Sequence, residues 1–117
     1  MRSYDLEERT AKFGVAIIRF CRKVPENAIT RPLISQLVRS GTSIGANYAE
    51  ANSASSRKDF RNKIFIAKKE AQETKHWLRM LAEYDAKISS EAQELRNEAQ
   101  ELTLIFGKVL SSLREKN

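Results

Sequence analysis

Four stretches of this chain repeat apolar residues at alternating three- and four-residue steps. Leu6, Phe13, Ile17, Phe20 and Val24 form the first set, and Leu33, Leu37, Gly41, Ile44, Tyr48 and Ala51 the second. Phe60, Ile64, Ala67, Ala71, Thr74, Leu78 and Leu81 follow, then Ala92, Leu95, Ala99, Leu102, Phe106, Val109 and Leu113. At about 100° per residue each set lies along one side of an α-helix, so the four stripes can leave water only against one another. The pattern predicts an all-α chain, an antiparallel up-down-up-down four-helix bundle, with a left-handed supercoil from the sustained 3.5-residue step. Roughly twenty such side chains, at about 1.5–3 kcal/mol each on full burial, set the driving force for one core.

Capping chemistry and proline place the boundaries. Asp5-x-x-Glu8 has the form of a capping box, and Pro25 and Asn27 close the first helix near Val24. Pro32 suits a first helical turn, where its missing N–H costs nothing, so Thr30 or Arg31 marks the next start. Ser56-x-x-Asp59 caps the third helix after the polar run 52–56, and Tyr84 to Ser89 turns the chain before Ser90-x-x-Gln93 opens the fourth. The expected helices are about 5–24, 31–52, 57–84 and 90–115 in one domain spanning 1–117, with the polar end fraying beyond Glu115. In helix two, Gly41, Gly45 and Ala49 recur every fourth residue. Glycine costs about 1 kcal/mol inside a helix, so these positions predict close approach of a neighbouring helix.

Composition bounds the function. The formal charge is +6 and the pI about 9.7. The charged amino terminus and the lack of a long apolar run point to a cytoplasmic protein with no membrane segment. Cys21 is the lone cysteine, suited to a small buried hydrophobe beside Ile17, and consistent with a reducing compartment. His76 is the lone histidine. Glu73-x-x-His76 occurs once, without the second such pair a di-iron bundle site needs, and GTSIG lacks the lysine of a phosphate loop. No metal, no cofactor and no catalytic residue is expected, and the chain reads as a non-enzyme.

The helix faces outside the seams carry the remaining information. On helix three, Arg57, Arg61, Lys68, Lys75 and Arg79 fall within about 40° of one another with no acid among them, a strip suited to nucleic-acid phosphates. Lys12, Arg19 and Lys23 form a second strip on helix one. The competing arrangement pairs these cations with Glu94, Glu98 and Glu101 of helix four. Ile66, Trp77, Met80 and Tyr84 lie roughly 110–150° from the seam of helix three, projecting from the core as a candidate oligomer interface. The alternative is a wide core face in which Trp77 covers a helix end. Arg39, Ser43, Asn47 and Glu50 share one polar edge of helix two, suited to an interhelical network that fixes register.

The run RSGTSIGANYAEANSASSRKDFRNKIFIAKKEAQETKHWL, residues 39–78, resembles the signature region of the bacterial four-helix bundle proteins encoded by intervening sequences of large-subunit ribosomal RNA genes. The family's Arg, Ser-Ile, Asn and Ala-Glu positions are met by Arg39, Ser43-Ile44, Asn47 and Ala49-Glu50. Its basic-plus-acid and aromatic positions are met by Lys58, Asp59 and Phe60. Ala51 stands where many members have glycine, and AKKEAQET where many have a small-residue stretch. The resemblance implies a ring of five. The family's relatives include the accessory protein of diversity-generating retroelements, a basic pentamer that binds reverse transcriptase and nucleic acid, so the resemblance implies nucleic acid and, beside such an element, a reverse transcriptase as partners. The expected function is a self-associating helical bundle presenting basic surface to RNA or DNA; the alternative is a protein-binding adaptor without nucleic-acid contact.

Overall fold

The computed structural model describes residues 3–115; Lys116 and Asn117, where fraying is expected, lie outside them. The described residues form four α-helices and no strand: α1 (Ser3–Lys23), α2 (Thr30–Asn52), α3 (Arg57–Tyr84) and α4 (Ser89–Glu115), with a 3-10 turn at Ala86–Ile88. Together they make a rod of 48 × 20 × 20 Å. Connections of six residues or fewer bring each helix against the next, and α4 also touches α1.

Local chemistry explains the ends. Ser56 Oγ accepts from the Asp59 amide at 3.0 Å, the expected cap of α3. At α2 the cap is built differently. Asn27 Oδ1 accepts from the amides of Ile29 and Thr30, while Thr30 Oγ1 donates to the Pro25 carbonyl at 2.6 Å and accepts from the Asn27 amide. Thr30 is fully buried by this interlock. Two expected caps are corrected. Asp5 lies inside the first turn of α1, which already begins at Ser3, so its charge meets the helix dipole without capping the end. Ser90 lies inside α4, because the 3-10 turn, held by Asp85 Oδ1 accepting from the Lys87 amide, delivers the chain into helix at Ser89. Gln93 bonds Asn97 and Arg96 instead of reaching back.

The core follows the stripes. Every seam residue of α1 is buried, and on the other helices only Leu33, Phe60, Leu95, Val109 and Leu113, near helix ends, stay half-exposed. Tyr48 of α2 meets Phe106 of α4 across the centre, ring centroids 6.1 Å apart. Buried hydroxyls are satisfied locally: Thr10 bonds the Glu7 carbonyl, Thr103 the Ala99 carbonyl, and Thr74 of α3 bonds both the Glu70 carbonyl and Ser40 Oγ of α2 at 2.9 Å. The two glycines of α2 do admit a neighbour. A Cβ on Gly41 would lie 2.9 Å from Ile17 Cγ1, and one on Gly45 would lie 3.3 Å from Thr10 Oγ1. Ala49 continues that ridge but is exposed.

Candidate nucleic-acid interface

Each seam between helices has its own chemistry, and among the described residues the ion pairs between helices are confined to two of them. Between α1 and α4, Arg9 grips Glu98 with two hydrogen bonds of 2.6 and 2.8 Å and reaches Glu101 at 3.0 Å, while Lys23 meets Glu91 at 2.7 Å. The bond to Glu98 raises the Arg9 guanidinium pKa further above its ordinary value. Between α2 and α3, Arg39 pairs with Glu70 at 3.0 Å and with Glu73, and Lys63 pairs with Glu50 at 2.7 Å. The carboxylate of Glu50 holds the Lys63 ammonium above its ordinary range. Between α1 and α2 the contact is made by Gly14 against Thr42, Gly41 against Ile17 and Gly45 against Thr10, with Asn52 Nδ2 donating to Glu7 Oε1 at 3.5 Å near one end.

The α3/α4 seam carries no ion pair among the described residues. Lys75 Nζ donates to the amide oxygen of Gln100, and Arg57 Nη2 donates to the Leu113 carbonyl at 2.6 Å near the carboxyl end of α4. Between these ties runs a groove of about 690 Å³, whose walls include Phe65, Lys68 and Lys75 of α3 and Leu104, Lys108 and Arg114 of α4. A smaller recess of about 310 Å³ continues it, sharing Phe65 and Arg114 and adding Arg61 and Asn62. Neither recess has an Asp or Glu in its wall. Gly107 forms the floor under Lys68, since a Cβ there would sit 3.9 Å from both Cε and Nζ of that lysine. Arg96 lies one turn before Gln100 on the same helix, its Nε buried without a hydrogen-bond partner among the described residues.

The helix-three strip is therefore brought together only in part. Arg61, Lys68 and Lys75 line the groove or its extension, Arg57 is engaged by α4, and Arg79 stands exposed one turn beyond Lys75. The competing arrangement, in which α4 acids pair with this strip, is not the one made within the chain: Glu98 and Glu101 project toward α1 and pair with Arg9. Glu94 is exposed. Of the second strip, Lys23 is paired, whereas Lys12 and Arg19 are exposed.

The polar edge of α2 splits in two. Arg39 and Glu50 cross to α3, whereas Ser43 and Asn47 bond back to the Arg39 and Ser43 carbonyls of their own helix. The aromatic patch sits at the α2 margin of α3. Trp77 packs against the core and donates to Glu73 at 3.3 Å, with Ile66 and Met80 half-buried. Tyr84 is exposed and accepts from Asn27 Nδ2 at 2.6 Å. The patch is narrower than angular position alone gives, because the indole of Trp77 packs against the core cluster. His76 is exposed and meets Trp77 edge-on. Among the described residues no three His, Cys, Asp or Glu side chains gather as a metal site, and no helix is long and apolar enough to cross a membrane.

Residues 2–108 match the 23S rRNA-intervening sequence protein family. The chain belongs to that family. A crystal structure of a protein of unknown function from the S23 ribosomal protein family of Bacteroides thetaiotaomicron is similar throughout. It has 32% identity and a TM-score of 0.79, and the match covers 89% of this chain and 96% of that one. Comparison with curated proteins gives no match. Sequence reasoning missed Lys108 and Arg114, the α4 half of the basic groove. For Arg114 the signal was present: Arg96, Gln100, Thr103, Gly107, Ser111 and Arg114 form an acid-free strip on a helix whose other flank holds Glu91, Glu94, Glu98 and Glu101, whereas Lys108 lies off that strip.

Proposed function

We propose that this chain is a non-enzymatic, self-associating, cytoplasmic bundle whose α3/α4 groove presents cations to RNA or DNA. The observation that carries the reading is the segregation of charge. Nearly every ion pair lies on the α1/α4 and α2/α3 seams, leaving Arg61, Lys68, Lys75, Lys108 and Arg114 around one acid-free groove. Cations so placed release condensed counterions from a phosphate backbone, so affinity should fall steeply with salt and depend little on sequence. The proposed arrangement is antiparallel, with the left-handed supercoil that the 3.5-residue step predicts; the order of the ion pairs bears on the first. In support, Arg9 pairs with Glu98 while Lys23 pairs with the earlier Glu91, and Arg39 pairs with Glu70 while Glu50 pairs with the earlier Lys63.

Self-association, with five copies as the family resemblance implies, would repeat the groove around a ring and multiply its field. Tyr84, with the exposed edges of Ile66, Trp77 and Met80, is the proposed contact. Light scattering at several concentrations tests it, and a strict monomer at all of them rejects it. A reverse transcriptase is the expected protein partner where the gene neighbours a retroelement.

Electrophoretic mobility shift with unrelated RNA and DNA tests the main reading. A Lys68→Glu/Lys75→Glu/Arg114→Glu variant should lose binding, while Lys12→Glu/Arg19→Glu on α1 should lose much less. Equal retention by the groove variant rejects the reading. A protein-binding adaptor is the second reading, favoured by the exposed Val15 and Ile18 on α1 beside the small-residue α1/α2 groove.

A further inference from the structure

The groove between α3 and α4 is basic, yet two of the most exposed large apolar side chains of the described residues stand in its walls. Phe65 of α3 is 58% exposed and Leu104 of α4 is 60% exposed. Their neighbours are Lys68, Lys75 and Arg114. A surface built for phosphates alone has no use for a wet phenyl ring, and hydrating it disfavours the unbound protein. Resting on the nucleic-acid reading above, we propose that the groove takes a single-stranded segment, with one base stacked on Phe65 and the flanking phosphates on Lys68, Lys75 and Arg114.

The chemistry distinguishes this occupant from a duplex. A double helix turns its phosphates and sugars outward and keeps its base faces covered, so against this groove it would meet the lysines and leave Phe65 pressed on charge. A single strand offers phosphates and open base faces together, and stacking tolerates any base because each has a π face. Leu104 supplies the apolar opposite wall. Gln72 adds an amide that can bond a presented base edge, and Gln100, whose oxygen accepts from Lys75, adds its N–H donors. From Arg61 to Lys75 the α3 wall runs about 21 Å at 1.5 Å per residue, so each groove suits a short site of few nucleotides.

Fluorescence anisotropy with a labelled mixed-sequence 12-nucleotide strand, alone and annealed to its complement, tests the proposal on the whole protein. Wild type should bind the single strand at least about tenfold tighter than the duplex. Phe65→Ala should weaken single-strand binding about tenfold, with the duplex and the salt slope unchanged, because no phosphate contact is lost. Phe65→Trp should restore it. Because Phe65 is exposed, circular dichroism and melting should show all variants folded. Equal binding of strand and duplex, or an unchanged single-strand affinity in Phe65→Ala, overturns the stacking proposal while the basic groove stands. If wild type binds neither, or Lys68→Glu/Lys75→Glu binds as wild type does, the nucleic-acid reading itself fails and this proposal with it. Displacement of the strand by poly-glutamate at equal charge concentration, as effectively as by unlabelled strand, would assign the groove to an acidic protein segment instead.

Discussion

Gly41 of α2 lies so close to Ile17 of α1 that a single added methyl would come within 2.9 Å of Ile17 Cγ1 and 3.2 Å of its Cβ. Ile17 is fully buried and branched at Cβ, so it cannot swing aside cheaply. Gly41→Ala gains about 1 kcal/mol of helix propensity but overpacks a dense core, which costs about 1–3 kcal/mol. The net expectation is destabilisation by about 1 kcal/mol. Gly107→Ala should do the reverse, gaining about 0.5–1 kcal/mol, since only the flexible end of Lys68 stands nearby at 3.9 Å. Urea midpoints of the two variants, read by circular dichroism, should therefore move in opposite directions.

That contrast also marks what the sequence could and could not reveal. Period alone located the stripe from Leu37 to Ala51 and its partners, because a helix fixes which residues share a side whatever the helix packs against. The Asn27–Thr30 cap and the Ser40–Thr74 bond depend on side-chain rotamers or on two helices meeting, and no one-dimensional pattern encodes these. The basic groove was half legible for the same reason. Lys68 and Lys75 announce themselves as one strip, but their meeting with Lys108 and Arg114 needs the register of α3 on α4. Likewise the pairing of Glu98 with Arg9, rather than with the α3 cations, follows from which flank of α4 faces α1.

The Arg9–Glu98 pair should be the strongest surface ion pair of the molecule. Its two parallel hydrogen bonds are held between side chains only 27% and 31% exposed, whereas Glu101 is 65% exposed. Solvent screening keeps the coupling modest even so. A double-mutant cycle of Arg9→Ala with Glu98→Ala should give a coupling of about 1 kcal/mol, and the same cycle with Glu101→Ala about 0.2–0.3 kcal/mol. Raising salt from 0.1 to 1 M should shrink the second further, because the Debye length falls from about 10 to about 3 Å. Equal couplings to the two glutamates would contradict the bidentate geometry.

Burial of Cys21 gives a stability change at alkaline pH. Loss of hydration pushes the thiol from its ordinary 9.0 up to about 11 in the folded chain. Below pH 9 both folded and unfolded forms hold the proton, and the native preference for the neutral thiol is fully present. Between about pH 9 and 11 the unfolded chain releases its proton while the folded chain keeps it, so stability is lost as pH rises, on the order of 2 kcal/mol. Contributions from all other groups cancel when wild type is compared with a variant lacking only this thiol. The unfolding free energy of wild type minus that of Cys21→Ala should fall between pH 8 and 11, the alanine variant's own cavity cost being independent of pH. A flat difference would place the thiol in contact with water.

Lys75 and Arg114 provide a quantitative reading of the groove. If each meets one phosphate, neutralising either should reduce the slope of log affinity against log salt by about 0.7, the single-strand value per contact. Lys75→Gln and Arg114→Gln come from opposite walls, so similar decrements from both would mean that one strand touches α3 and α4 together. Lys12→Gln on α1 should leave the slope unchanged, although it alters net charge by the same amount. Titrations at four salt concentrations between 50 and 200 mM resolve a change of this size, because about 0.7 in slope shifts the ratio of affinities across that range by about 2.6-fold. A uniform decrement from all three variants would mean that the phosphates sense the overall charge of the protein and no particular groove.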